Sequence, residues 1–214
     1  MTVESRNSVG RSPERLKAYT DAVVAIAQTL LILPLLESVS EAKLHHLTTA
    51  QWLSENSDAV LWLGVSFVLI GTFWVSHHRI FEHVEHPTEM LQSLNFLWMF
   101  CIVCFPVIAA VLGRDTADAV QKALYIGCML VCNLAMNGMV WQIARDPRIR
   151  GDLPPLTARI VAVSFSLTLM YAVSLVLALL IPGGLGYFAL FILAFMRPLV
   201  GWFVPLVKRW NLGV

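Results

Sequence analysis

The stretch AYTDAVVAIAQTLLILPLLE, residues 18–37, decides the fold. It is apolar and about as long as the ~20 residues that cross a bilayer. Yet Asp21, Gln28 and Thr29 interrupt it, and Pro34 sits in its last turn. A carboxylate and an amide in hydrocarbon need a reason, because a charged side chain within a span costs at least a few kcal/mol, roughly 2.5–3.5 at its centre.

The rest of the chain is of the same kind. Its 214 residues are 57% hydrophobic and only 14% charged, too apolar for an ordinary soluble domain. The net charge of +1 leaves no basic footprint for nucleic acid. Six apolar runs stand out, at Leu16–Leu36, Ala59–Ser76, Leu94–Leu112, Ala119–Ile143, Arg159–Ile181 and Gly186–Leu206. They predict an all-α membrane protein, one six-helix transmembrane domain over residues 1–214 with short connections. The polar tail, residues 1–14, has no apolar run and is not expected to be a signal peptide. Ser12-Pro13-Glu14 reads as a helix start, with a capping hydroxyl, proline at the first helical position and an acid in the first turn.

Charge sets the orientation. Of fifteen basic residues, eleven fall on one side, among them Arg6, Arg11, Arg15, Lys17, Arg79 and Arg159. Three, Lys43, Arg114 and Lys122, fall on the other, and Arg197 lies within the sixth run. The positive-inside rule then predicts that both termini are cytoplasmic and that the protein is a multi-pass component of the plasma membrane. The outer connections carry six acids, including Glu37, Asp58 and Asp118, either as a cation-attracting mouth or as a solvated surface.

A helix turns about 100° per residue, so the first run has distinct faces. Ile26, Leu30 and Leu33 make one bulky apolar stripe. Asp21 and Gln28, seven apart, lie nearly opposite. Ala18, Ala22, Ala25 and Thr29 form a line of small groups beside the stripe, over which another helix can approach closely. The polar face is expected to look into the bundle. The bulky stripe fits lipid, core packing or a symmetry axis. Pro34 cannot donate to the carbonyl of Leu30, which either leaves that carbonyl to meet ions or water in a pore or makes only a mild kink near a helix end.

The second run ends in WVSHHRIFEHVEHP, residues 74–87. A di-iron oxidase or desaturase needs further histidines on other helices, and the only others, His45 and His46, fall on the opposite side. No metal cofactor is expected; a small Zn²⁺ site at His83 and His86 stays open. His77 and His78 lie at the depth of Arg15, Asp21 and Asn95. Buried polar groups need partners, so these form either a structural layer or a histidine-tuned latch. Cys101, Cys104, Cys128 and Cys132 sit within spans and read as packing groups.

Taken together, Arg15-x-x-x-Tyr19-Thr20-Asp21 resembles the Arg-x-x-x-Phe-Ser-Asp signature of the endolysosomal potassium channel family, transmembrane protein 175. AIAQTLLILPL, WVSHHRIF and Asn95 at the start of the third run fit its bacterial members. Tyr19 and Thr20 depart from the signature conservatively, keeping ring and hydroxyl. The resemblance implies six spans per subunit and a homotetramer in the bilayer, with a central pore lined by the first helix. It implies K⁺ and other monovalent cations as permeant ions, with K⁺ moderately preferred. Carried over by position, it puts the constriction and gate at Ile26, Leu30 and Leu33, and selectivity at Thr29 and Ile26. Arg15, Tyr19, Thr20, Asp21, His77, His78 and Asn95 then form the polar network that holds the first helix. A narrow ring of apolar side chains dewets and stops ions. The rival reading is a secondary transporter of a small ion or solute, with Asn133 and Asn137 as its mid-membrane polar pair. Their other reading is an interhelical hydrogen-bond pair.

Overall fold

The computed structural model describes residues 12–112 and 118–209. Arg6, Arg11 and Arg114 of the charge count lie outside the described residues, as does the side chain of Arg197. The described chain is helical: α1 Pro13–Leu30, α2 Leu33–Leu44, α3 Thr49–Glu55, α4 Ser57–Phe81, α5 Glu89–Leu112, α6 Ala119–Arg145, α7 Pro147–Arg150, α8 Ala158–Leu180, a 3-10 segment Gly183–Phe195, and α9 Met196–Arg209.

Five stretches are long and apolar enough to cross a membrane: Pro13–Lys43, Ser57–Phe81, Glu89–Ala110, Ala119–Arg145 and Ala158–Leu180. Each follows one of the predicted runs. The sixth run, 186–206, is not one α-helix. It divides between the 3-10 segment and α9. Gly183, at φ +63°, turns the chain out of α8. Pro198 and Pro205 further along each lack the N–H that a regular ladder needs.

The first span is broken where Pro34 predicts a fault. α1 ends at Leu30 and α2 starts at Leu33, with the proline in its first turn. Leu31 and Ile32 form a turn, in which the Ile32 N–H reaches the Thr29 carbonyl at 3.4 Å. Ser12 occupies the N-cap position, with Pro13 and Glu14 in place, but its hydroxyl makes no capping bond. The expected cap is therefore positional only.

α6 is the centre. It lies between α5 and α8; α1 leans on α5 and α4, and α9 with the 3-10 segment covers α8. Over its most apolar window α6 is 56% buried, against 22% for the first span and 17% for α4. The last two therefore leave most of their surface to lipid or to other chains.

Several polar groups between α6 and α8 are met across the two helices, which suits a hydrocarbon setting. The Thr168 hydroxyl of α8 donates to Asn133 Oδ1 at 2.8 Å. The Asn137 amide donates to Thr168 Oγ1, and the Ser164 hydroxyl donates to Asn137 Oδ1. Both asparagines are thus taken up between α6 and α8. Lys122, 2% exposed, donates its ammonium to the carbonyl of Ile181, just past α8, where the helix dipole favours a cation.

At the end of the bundle carrying most basic residues, two connections clip together. The backbone N–H groups of Glu85 and His86 donate to the Ile149 carbonyl at 2.8 and 3.0 Å. The Glu85 carboxylate accepts from the Asp152 N–H at 3.0 Å. Gly151, at φ +55°, passes so close that a Cβ there would stand 2.1 Å from the Glu85 carboxylate. His83 Nδ1 lies 2.8 Å from the Pro154 carbonyl. Asp146 caps α7, and the Arg148 side chain bonded to it at 3.0 Å holds its carboxyl below the usual range.

This arrangement predicts where truncation hurts. Ile126→Ala, at a fully buried α6 position (0% exposed), should lower the stability of detergent-purified protein by about 2–4 kcal/mol. Leu134→Ala, on the same helix but 50% exposed, should stay within about 1 kcal/mol of wild type by thermal unfolding.

Candidate functional site

α1 presents two sides to two different environments. Its inner side buries Thr20, Val24, Ala27 and Leu31 against the rest of the chain. Its outer side exposes Ala18, Tyr19, Ala22, Ala25, Ile26, Thr29 and Leu30, and Leu33 of α2 continues it. Ile26 is 59% exposed, Leu30 38% and Leu33 47%.

The inner side is fastened by hydrogen bonds at three heights. Thr20 gives its hydroxyl proton to the Leu16 carbonyl at 2.9 Å and accepts from the Asn95 amide at 3.0 Å. Asn95 Oδ1 in turn meets His77 Nε2 at 2.6 Å. An amide oxygen only accepts, so the proton of this bond belongs to His77 Nε2. The imidazole is stacked between Phe81 and Trp98, with ring centroids 4.1 and 4.3 Å away. Thr20, Asn95 and His77 are all buried, which makes the chain of bonds obligatory in a dry setting.

Asp21 is held separately. The Trp74 indole N–H donates to its Oδ1 at 2.7 Å, and the Trp74 ring leans on His78 at 5.5 Å. One turn and more above, the Gln28 amide donates to the Phe67 carbonyl at 3.3 Å, beside Gly71. A Cβ on Gly71 would still stand 3.6 Å from the Gln28 nitrogen. Asp21 and Gln28 therefore both turn toward α4, as their shared face predicts.

The predicted polar layer divides into two parts. Thr20, Asn95 and His77 form one chain. Asp21 pairs with Trp74, which touches His78. Tyr19 sits on the exposed side with its ring edge-on to Phe96, centroids 6.3 Å apart. Arg15 lies exposed in the first turn of α1. His78 stands 3.9 Å from Glu82, both well exposed. Trp74 is the partner that reading the sequence missed. Trp62, Trp74, Trp98 and Trp141 all fall in the apolar runs, and only the fold sets the Trp74 N–H opposite Asp21.

On the outer side, the Thr29 hydroxyl donates to the Ile26 carbonyl at 2.8 Å. Among the described residues no three of His, Cys, Asp or Glu gather as a metal site. His86 stands 3.9 Å from Glu85.

The Asp21–Trp74 bond carries a thermodynamic prediction. Asp21→Ala should cost about 1–3 kcal/mol of stability, because the indole N–H is left unmet. Trp74→Phe added to it should cost much less than it does alone. A double-mutant cycle on purified protein reads this coupling. A coupling near zero would mean that the bond does not hold α1.

Comparison with known proteins places the chain. Residues 15–106, which hold the whole polar layer and the exposed stripe, match the family described as endosomal/lysosomal potassium channel TMEM175. A potassium channel of Streptomyces collinus is 34% identical over 164 residues, 72% of this chain and 75% of that protein. The zebrafish (Danio rerio) endosomal/lysosomal proton channel TMEM175 is 26% identical over 62% of this chain, which spans only 25% of that longer relative. The fold is shared with the crystal structure of a lysosomal potassium-selective channel TMEM175 homolog from Chamaesiphon minutus. That likeness has a TM-score of 0.59 at 22% identity, covering 91% of this chain and 97% of that one. With so much of the Streptomyces protein matched, this chain belongs to the TMEM175 family.

Proposed function

We propose that this chain is a subunit of a potassium-preferring cation channel, not an enzyme. Four copies of a six-span subunit surround a central pore lined by α1, in the plasma membrane with both termini cytoplasmic. One observation carries the reading. α1 is hydrogen-bonded to its own subunit on one side and exposes Ile26, Leu30 and Leu33 on the other. The small groups beside that stripe, Ala18, Ala22, Ala25 and Thr29, are exposed too and suit close approach by a second copy. The relatives named potassium channels support K⁺ as the permeant ion.

The sixth crossing falls to Gly183–Arg209, which ends in Lys208 and Arg209. Laid end to end, its 3-10 and α-helical parts reach about 47 Å, beyond the ~30 Å hydrocarbon core. Rings of Ile26, Leu30 and Leu33 around the axis form a dewetting gate. Thr29 keeps lone pairs for a passing cation while its proton goes to the Ile26 carbonyl. K⁺ gives up water more readily than Na⁺, so this oxygen favours K⁺. A second reading, proton conduction, is favoured by the name of the zebrafish relative, and a pH gradient across the bilayer separates the two.

Reconstituted protein under a K⁺/Na⁺ gradient tests the pore. Ile26→Asn should raise leak and move the K⁺/Na⁺ permeability ratio toward one. Unchanged current and selectivity in a folded Ile26→Asn protein would put the constriction elsewhere. Thr29→Val should lower the ratio by up to about tenfold, ~1.4 kcal/mol, with current preserved. An unmoved reversal potential would mean that the hydroxyl serves only its own helix. A steady unitary current far above carrier turnover separates all of this from a transporter.

A further inference from the structure

Away from α1, a cavity of about 680 Å³ lies between α4, α6 and α8. Its lining changes character along its length. Arg79, in the last turn of α4, and Arg159, in the first turn of α8, stand at the end rich in basic residues. Val163, Leu167 and Tyr171 of α8 line the part that runs into the span. From Arg159 to Tyr171 the cavity follows α8 for about 18 Å. Arg79, Arg159 and Ser76 are exposed, so it opens at the surface of the chain.

Two features set this cavity apart from an ordinary groove in a helical bundle. First, neither guanidinium has a carboxylate within 4.0 Å among the described residues. Second, Arg159 sits at the start of α8, where the helix dipole favours an anion and opposes a cation. Two cations without a carboxylate partner thus stand above a mostly apolar slot, whose Asn133 and Ser164 are already bonded within the bundle, and such a slot selects for a ligand of matching shape. That ligand has an anionic phosphate at one end and hydrocarbon at the other. Basic pockets between spans on the cytoplasmic side bind lipid head groups in this way.

We propose that the cavity between α4, α6 and α8 is a binding site for an anionic phospholipid of the inner leaflet, with its phosphate held by Arg79 and Arg159 and an acyl chain along Val163 and Leu167. The proposal rests on the membrane placement of the chain and not on ion conduction, so it stands or falls apart from the pore. The bidentate forks of two arginines suit phosphate oxygens better than a single carboxylate, and a zwitterionic head group would bring its own cation toward them.

The test uses the whole chain, purified and stripped of lipid in detergent, with bound lipid counted by native mass spectrometry. The probes are dioleoyl phosphatidylglycerol, dioleoyl phosphatidylcholine and inorganic phosphate. Phosphatidylglycerol should bind at least tenfold tighter than phosphatidylcholine, and millimolar inorganic phosphate should not displace it. The double variant Arg79→Gln/Arg159→Gln should lose at least tenfold in that affinity. Val163→Trp, which fills the slot and keeps both cations, should lose it as well. Equal retention of the two lipids, or wild-type binding by either variant, would overturn the proposal. Full displacement by inorganic phosphate would overturn it in favour of a free-anion site. A changed subunit count in the double variant without a change in bound lipid would show that another copy of the chain covers the cavity.

Discussion

A carboxylate inside a hydrocarbon layer must be met by protein, and the bond from Trp74 to Asp21 meets it. The rest of α1 follows from that constraint. Gln28 reaches the Phe67 carbonyl on the same side, and Thr20 joins Asn95 and His77 on α5 and α4. These contacts stretch over residues 20–28, about 12 Å of helix, and fix the rotation of α1 about its axis. Once the rotation is fixed, the outward side has no choice of residues. It is Ile26, Leu30 and the small groups beside them, all of them left exposed. A side that is apolar, exposed and held in place is what a symmetric pore of several copies requires.

The break at Leu31 and Ile32 adds a second constraint. The hydrogen-bonded part of α1 lies wholly before it, and Leu33 lies after it. In the proposed pore, the ring at Ile26 is therefore anchored to its subunit, whereas the ring at Leu33 belongs to a separate helical piece. Each half of the gate answers to different contacts. α6, enclosed by α5 and α8 and tied to α8 through Asn133 and Asn137, backs α5, and α1 in turn packs on α5 and α4.

Much of this was legible in residues alone. Asp21 and Gln28 share a face because seven residues are nearly two turns, and the structure turns both toward α4. Pro34 marked the helix break because it removes a donor. Asn133 and Asn137 read either as a transporter's polar pair or as interhelical hydrogen-bonders, and the structure bonds both to α8. Other features were hidden for physical reasons. Trp74 looked like one aromatic among many, because its N–H matters only once Asp21 is opposite it. Ser12 had the right identity for a cap, but a side-chain rotamer is not written in a cap motif. The final apolar run looked like any other span; its division into a 3-10 segment and α9 depends on glycine and proline positions that hydropathy does not weigh. Arg79 and Arg159 counted only as inside charges until the fold brought α4 and α8 to one cavity.

The central claim is that the exposed side of α1 faces water in a pore rather than lipid. Thiol modification of cysteine variants tests it directly, since a thiol ionises and reacts only where water reaches it. Ile26→Cys is compared with Val68→Cys on α4, which is 64% exposed in the chain against 59% for Ile26. A charged methanethiosulfonate reagent should block K⁺ current through reconstituted Ile26→Cys channels and leave Val68→Cys and wild-type current alone. Robust current through Ile26→Cys that the reagent does not touch, with block at Val68→Cys instead, would contradict the account and move the pore to another face.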